Sequence, residues 1–181
     1  MYSVTVFTPS ATTPVTVDEV KQFIKLDVNT DDTLIEALII AATDIVEKYT
    51  GRALITKTLL LLGDELEDDL FLPYPPIQSI ESFQVTDSTG AVHDVSSDSY
   101  LLDGELGRIR RAPGESYPNC RAYMGVEIKY KAGYGDNPAD VPQAIREAIK
   151  RIVAKWYEDR TIGEIPLESE ALLVPYIQNW V

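Results

Sequence analysis

The strongest pattern of apolar and polar positions lies in residues 31–51. Its apolar residues recur every three or four positions, which is the spacing of a helix with a wide buried face. These residues are Leu34, Ile35, Leu38, Ile39, Ala41, Ala42, Ile45, Val46 and Tyr49. Asn29, Thr30 and Asp31 are candidate N-caps, and Gly51 readily adopts the left-handed conformation that ends a helix. We therefore predict a long helix that is buried on more than one side.

Two further segments have features of helices and offer partners for this one. Thr16 and Glu19 have the spacing of a capping box, so a short helix is predicted to begin there and to complete a helical hairpin over residues 16–51. Residues 141–160 place apolar side chains along one face of a second long helix, with Pro142 near its first position. This stripe consists of Ile145, Ala148, Ile149, Ile152, Val153 and Trp156. We predict that the hairpin packs against this late helix.

Between the helices, residues 54–132 alternate apolar and polar positions with the period of β-strands. The clearest case is Val126, Ile128 and Tyr130, which alternate with charged residues. Turn sequences at 87–90 and 103–104 separate short strands, so the sheet is predicted to be antiparallel. The predicted fold class is α+β, mainly α: a helical bundle with an inserted antiparallel β elaboration.

The chain length of 181 residues predicts a single domain, 1–181. Within that domain we expect four parts in sequence order. They are a helical hairpin at 16–51, a β-rich insertion at 54–132, a long helix at 141–160 and a C-terminal docking segment at 167–181.

Charge and cysteine content restrict the function. Sixteen basic and 29 acidic side chains give a net charge of −13, which argues against a broad grip on nucleic acid. The single cysteine allows no intramolecular disulfide. No segment approaches the roughly 20 consecutive apolar residues that a membrane-spanning helix needs. We expect an intracellular soluble protein.

Side chains suited to catalysis are few and form no motif. His93 is the only histidine and Cys120 the only cysteine, and neither has the supporting residues of a nucleophile–base pair. The acidic turn at 64–69 lacks the spaced ligands and central glycine of a calcium loop. Gly133 and Gly135 lack the third glycine and the βαβ context of a dinucleotide-binding loop. We predict no catalytic, metal or cofactor-binding site, and therefore no enzyme.

The late helix carries residue types that are favoured in protein interfaces. Trp156, Tyr157 and Arg160 combine two large aromatic rings and an arginine at its end, and Arg146 and Lys150 add positive charge. These five residues are the candidate oligomer interface. Two alternatives stay open: Trp156 also fits a core position, and the cations can pair with acidic groups of the same subunit or of another.

The C-terminal segment has more apolar side chains than a free tail needs. They are Leu172, Leu173, Val174, Pro175, Tyr176, Ile177 and Trp180. Either this segment folds back on its own domain or it docks on a neighbouring protein.

Five landmarks occur in an order that resembles the head–tail connector (adaptor) family of tailed double-stranded DNA bacteriophages and prophages. A capping-box helix and a long helix ending in EKYTGRALI at 47–55 come first, and LPYPPI follows at 72–77. The later landmarks are the strand exit KAGYG at 131–135, the helix ending in WYEDR at 156–160, and LLVPY at 172–176. The resemblance covers nearly the whole chain from about Thr16.

The resemblance implies a non-enzymatic structural protein of the virion neck, assembled in the host bacterial cytoplasm. Such proteins form a ring of about twelve copies beneath the portal protein and receive a stopper or tail protein. DNA passes through their channel without specific binding, and no membrane is involved. The resemblance also implies that the C-terminal apolar residues dock on the portal. The alternatives are another phage neck or tail-completion protein and, from a different class, a small intracellular hydrolase.

Overall fold

The computed structural model describes residues 2–178, and these divide into two compact units. The sheet unit comprises residues 2–10 and 56–133. The helical unit comprises residues 11–55 and 134–178. Each unit is therefore assembled from segments that lie far apart in the sequence. The single domain over 1–181 stays a prediction.

The described part of the helical unit contains four α-helices. They are α1 (Val17–Ile24), α2 (Asp32–Thr50), α3 (Gln143–Asp159) and α4 (Leu167–Leu173). The predicted capping box of α1 is confirmed: Thr16 Oγ1 accepts a hydrogen bond from the Glu19 N–H at 3.2 Å, and the Glu19 carboxylate accepts one from the Thr16 N–H at 2.9 Å. Gly51 ends α2 in the left-handed conformation, with φ of 69°.

The helices share one apolar core. Ile39 of α2, Ile149 and Ile152 of α3, and Val20 of α1 are at most 1% exposed, and Leu173 at the end of α4 joins the same cluster. Burying a side chain of this size contributes about 1.5–3 kcal/mol relative to leaving it in water. The apolar positions that helical periodicity predicts to be buried are therefore those that hold α1, α2 and α3 together.

The described part of the sheet unit contains eight strands in two antiparallel sheets. In chain order they are β1 (Tyr2–Thr8), β2 (Lys57–Gly63), β3 (Asp69–Phe71), β4 (Ile77–Thr86), β5 (Val92–Asp94), β6 (Tyr100–Asp103), β7 (Arg108–Arg111) and β8 (Val126–Ala132). The larger sheet has the order β1-β2-β8-β4-β5, and the smaller has the order β3-β7-β6. β1 and β5 thus form the two edges of the larger sheet.

β8, the strand with the clearest alternation, lies at the centre of the larger sheet. Leu61 of β2 and Phe83 of β4 both face Ile128 of β8, and all three side chains are buried. The Tyr130 hydroxyl donates a hydrogen bond to the Pro73 carbonyl oxygen at 2.9 Å, and burial raises the pKa of Tyr130. One face of this strand therefore builds the core of the sheet unit, as the alternation predicts.

The prediction of a mainly α fold was wrong. The structure is 34% helical and 28% strand, so it is a mixed α+β fold and not a helical bundle with a β elaboration. The reason is that β3 and β5 have only three residues each, too few to show a period, whereas α2 repeats its period over about five turns. In addition, β1 joins the larger sheet from outside the predicted insertion.

Candidate functional site

α3 and its C-cap carry the five residues of the candidate oligomer interface, and the structure places them in two groups. Trp156 and Tyr157 lie in the last turn of α3, and Arg160 follows as its C-cap with φ of 53° and an exposed side chain. Arg146 and Lys150 lie nearer the start of the helix. The two groups have different surroundings, so they are described separately.

The end of α3 and the start of α2 border a cavity of about 640 Å³, which we call the α2–α3 groove. Its lining includes Leu34, Leu38, Trp156, Tyr157, Arg160 and Ile162. Leu34 and Ile162 are 51% and 62% exposed, whereas Trp156 is only 3% exposed. The groove therefore has exposed apolar side chains at its rim and a buried aromatic ring behind them.

Polar groups fix the aromatic end of α3. The Tyr157 hydroxyl donates a hydrogen bond to Asp31 Oδ2 at 2.5 Å, joining the end of α3 to the start of α2. This hydrogen bond raises the pKa of Tyr157. The Trp156 Nε1–H is buried and finds no acceptor among residues 2–178. A buried donor without a partner lowers the free energy of unfolding by about 1–3 kcal/mol. The end of α3 therefore holds one hydrogen-bond donor that is not used within the described chain.

Arg146 is held within the helical unit. Its Nε donates to the Pro14 carbonyl oxygen at 3.0 Å, its Nη2 donates to the Glu19 carboxylate, and its side chain is only 14% exposed. Burial raises the pKa of Glu19, but hydrogen bonds from the Thr16 N–H and Arg146 outweigh it, and the net pKa is lowered. Arg146 thus ties α3 to the capping box of α1.

Lys150 has a similar intrachain environment. Its Nζ donates to Glu147 Oε1 at 2.5 Å and lies 5.8 Å from the centre of the Phe23 ring. The Lys150 side chain is 15% exposed. The pairing of both cations with acidic groups of their own chain is one of the two alternatives that the sequence left open.

The described part of the C-terminal segment packs on the helical unit. Leu173 is fully buried, and Leu172 and Ile177 are half-buried. Val174 is 57% exposed, and Pro175 is exposed beside it. Within residues 172–178, the turn at Val174 and Pro175 therefore presents the main apolar surface to solvent.

Two hydrogen bonds, one from a side chain and one between backbone groups, attach this segment to the end of α2. Arg52 Nε donates to the Tyr176 carbonyl oxygen at 2.8 Å, and the Gln178 N–H donates to the Thr50 carbonyl oxygen at 2.7 Å. These bonds fix the course of the segment up to residue 178. Trp180, which the sequence places in the same docking segment, lies outside the described residues.

His93 and Cys120 are the histidine and the cysteine that the sequence offers for catalysis. His93 Nε2 lies 2.8 Å from Asp87 Oδ2 in the β4–β5 hairpin. Burial raises the pKa of the Cys120 thiol, which favours the less reactive protonated form. Within residues 2–178, no group of three or more His, Cys, Asp or Glu side chains is placed to hold a metal ion. None of the described helices combines the length and apolar character that a membrane crossing requires.

Sequence patterns did not reveal the rim of the groove. Leu34 fits the apolar face of α2, yet it is exposed, and Asp31, which fits an N-cap, makes no side-chain cap bond and instead accepts from Tyr157. The one indication of the groove rim in the sequence is Ile162, an apolar residue in the loop after α3. The contact between Asp31 and Tyr157 spans 126 positions and has no signal in a single sequence.

The family model described as "Head completion protein" matches residues 14–164 of this chain. This match confirms the resemblance to phage head–tail connector proteins and the predicted class of structural connector subunit. No curated protein matches the sequence significantly.

Solved structures with the same fold come from gene transfer agent (GTA) particles. A chain in the virion of a native GTA particle has a TM-score of 0.83 and 23% identity, with 98% of this chain and 96% of that chain covered. A chain in the neck of an empty GTA particle, computed with C6 symmetry, has a TM-score of 0.83 and 22% identity, with 99% and 97% covered. A chain in the neck of a native GTA particle, computed with C12 symmetry, has a TM-score of 0.80 and 22% identity, with 100% and 97% covered.

Proposed function

Because this chain belongs to the head completion protein family, we propose that it is a structural subunit of the virion neck, where a phage-type head joins its tail. The observation that carries the proposal is the family match over residues 14–164. The likeness in fold to chains of GTA necks supports the location. The subunit acts through its shape and contacts, and no chemical step is assigned to it.

Identical copies of the chain form a closed ring of about twelve subunits in this proposal. The C12 and C6 symmetries with which the GTA necks were computed support a ring of this order. In a closed ring the contacts are head-to-tail, so two different surfaces of one chain must meet. The ring lies beneath the portal, continues the DNA channel and receives a stopper or tail protein on its other side.

The α2–α3 groove is the proposed contact in the helical unit. Tyr157 and Arg160 supply the aromatic and guanidinium groups that are enriched in interfaces, and Leu34 and Ile162 supply exposed apolar area. Trp156 supports the groove from behind. Arg146 and Lys150 contribute indirectly, because their hydrogen bonds and contacts fix α3 within its own unit.

The charge of the chain suits a channel through which DNA passes. At −13, the protein repels the phosphate backbone, and a tight grip on DNA would oppose its passage. This supports a lumen that guides DNA without specific binding.

The C-terminal segment is the proposed portal contact. Its backbone is already ordered by the bonds from Arg52 and Gln178, so docking loses less conformational entropy than it would for a free tail. Val174 and Pro175 offer exposed apolar surface at the turn, and Trp180 belongs to the same proposed contact.

Removal of the gene from the producing phage or particle tests this function. Electron micrographs are expected to show separate heads and tails, and adding the purified protein to that lysate should restore joined particles. Particles that join normally without the protein would contradict the proposal. So would a protein that restores nothing but turns over a substrate as a single molecule.

A further inference from the structure

The outer edge of β1 is open. β1 pairs with β2 from Tyr2 to Val6 and again at Thr8, with a register shift at Phe7, and with no other strand of the described chain. Val6 and Phe7 near its end are 56% and 57% exposed. An open strand edge presents a row of unpaired backbone N–H and C=O groups, which favours pairing with another strand.

The sequence of β1 lacks most of the usual protection of an edge strand. Natural edges are shortened, charged, bulged or interrupted by proline. Of these devices β1 has the register shift at Phe7, which leaves the five residues Tyr2–Val6 regularly paired on one side and open on the other. β1 has seven residues, YSVTVFT, with no charge, proline or glycine, although a quarter of the residues of the whole chain are charged. Most of these residues are β-branched or aromatic and favour strands. A positive charge does lie beside the Phe7 ring, but another strand supplies it: Lys129 Nζ of β8 is 4.1 Å from the ring centre.

The opposite edge of the same sheet, β5, is also open among the described residues. Its three residues pair with Gln84–Thr86 of β4 and with no further strand. All three are exposed, and Val92 is 59% exposed. Each chain therefore carries two different open edges, which is what a head-to-tail contact between identical subunits requires.

Strand direction decides which edges meet in a ring. Every neighbouring pair in the order β1-β2-β8-β4-β5 is antiparallel, so β1 and β5 run in the same direction. Neighbours in a ring of about twelve differ by a rotation of roughly 30°, which does not reverse the sense of a strand. The twist of the sheet turns β1 and β5 relative to each other, so their contact is confined to the few residues of β5. A β1–β5 contact between neighbours is therefore parallel. A two-fold contact would instead join two β1 strands antiparallel and stop at a dimer.

We propose that the β1 edge of one subunit pairs in parallel with the β5 edge of the next copy, so that the larger sheets of adjacent subunits continue around the ring. This inference rests on the proposed ring. Because β5 has only three residues, the pair adds to the contact at the α2–α3 groove and does not hold the ring alone.

Cross-linking between introduced cysteines tests the pairing. Thr5→Cys in β1 and Val92→Cys in β5 are combined in a Cys120→Ser background and treated with a short bis-maleimide. Within one chain the two positions lie four strand spacings apart, about 19 Å, too far for such a reagent. Across the proposed pair, facing or diagonal residues are about 5–8 Å apart. The double variant should give a ladder of covalent oligomers beyond the dimer, and each single variant should remain one chain.

Mass photometry of the same samples distinguishes the β1–β5 pairing from the proposed ring, because it measures the number of subunits in each assembly. Rings without a ladder would overturn the β1–β5 pairing and leave the proposed function intact. Dimers from Thr5→Cys alone would also overturn it, because they indicate a two-fold contact. A ladder without rings would support the pairing and contradict the ring, and absence of both would contradict both.

Amide hydrogen exchange on the unmodified chain provides a second measurement that needs no substitution. The β1 amides that point away from β2 and meet β5 of the next copy should exchange at least tenfold more slowly in the ring than in diluted monomer. The amides of β8 at the centre of the sheet serve as the internal control and should not change. Equal exchange of β1 in the two states would overturn the proposal.

Discussion

The charged side chains of α3 and the strand edges of the larger sheet differ in how their polar groups are paired. In the helical unit, Arg146 and Lys150 are satisfied within the chain, by Pro14, Glu19 and Glu147. In the sheet unit, both edges of the larger sheet keep backbone groups available. This difference shows that charge at helical spacing does not by itself indicate an exposed surface, because the packing of the helix decides whether a charged side chain is paired within the chain.

The largest effect is expected in the core of the helical unit. Ile149→Ala removes a fully buried side chain between helices and should lower the free energy of unfolding by about 2–5 kcal/mol. Urea unfolding followed by circular dichroism measures this loss. Leu167→Ala, at a position that is 79% exposed, is the control and should change stability by less than about 0.5 kcal/mol. Equal losses in both variants would mean that α3 is not the centre of this core.

Arg146→Ala tests whether the hydrogen bonds of Arg146 within its own chain stabilise the helical unit. Loss of its bonds to Pro14 and Glu19 should cost about 1–3 kcal/mol of unfolding free energy, because the bonds are charge-assisted and only 14% of the Arg146 side chain is exposed. Lys155→Ala breaks an exposed pair with Asp159 and should cost no more than about 0.5 kcal/mol. If Arg146→Ala keeps full stability but abolishes the ring, then Arg146 belongs to the subunit interface.

Val174→Asp tests the exposed turn of the C-terminal segment. A carboxylate at this apolar position should weaken binding to the cognate portal by at least tenfold, or about 1.4 kcal/mol. Val28→Asp, which places the same charge at an exposed valine of the helical unit outside the C-terminal segment, should leave the affinity unchanged. Surface plasmon resonance on immobilised portal gives both values. Unchanged binding by Val174→Asp would remove this turn from the portal contact.

The smallest effect concerns the capping box and depends on pH. The pKa of Glu19 is lowered in the folded chain, so its ionised form adds stability above its unfolded pKa of about 4.3, and this contribution is lost as the pH falls through the folded pKa. Glu19→Gln should therefore cost a few tenths to about 1 kcal/mol at pH 7, a range that allows for solvent screening. The difference from the parent should disappear at lower pH. A cost that persists in acid would assign the effect to packing.

How much the sequence predicts depends on the length of each element. α2 and α3 were predicted to within a few residues because each repeats its period over several turns, and β8 because Val126, Ile128 and Tyr130 alternate cleanly. β1 was missed although Tyr2, Val4 and Val6 alternate with polar residues, because a single short alternation carries little information.

The assembly surfaces were less accessible to sequence patterns. Trp156, Tyr157 and Arg160 do border one groove, but its opposite wall comes from α2, more than a hundred positions away. Whether Arg146 faces solvent or Glu19 depends on the packing of α3 against α1, which local periodicity does not specify. The open edges of the larger sheet follow from strand order, and a single sequence does not encode that order in any local pattern.

Native mass spectrometry of the purified 181-residue chain, alone and with its portal, distinguishes a ring subunit from an independent molecule. We expect one dominant closed assembly of about twelve copies of the 20.2 kDa chain, near 240 kDa before the mass of any portal is added. A chain that stays monomeric at high concentration and also in the presence of portal would contradict it.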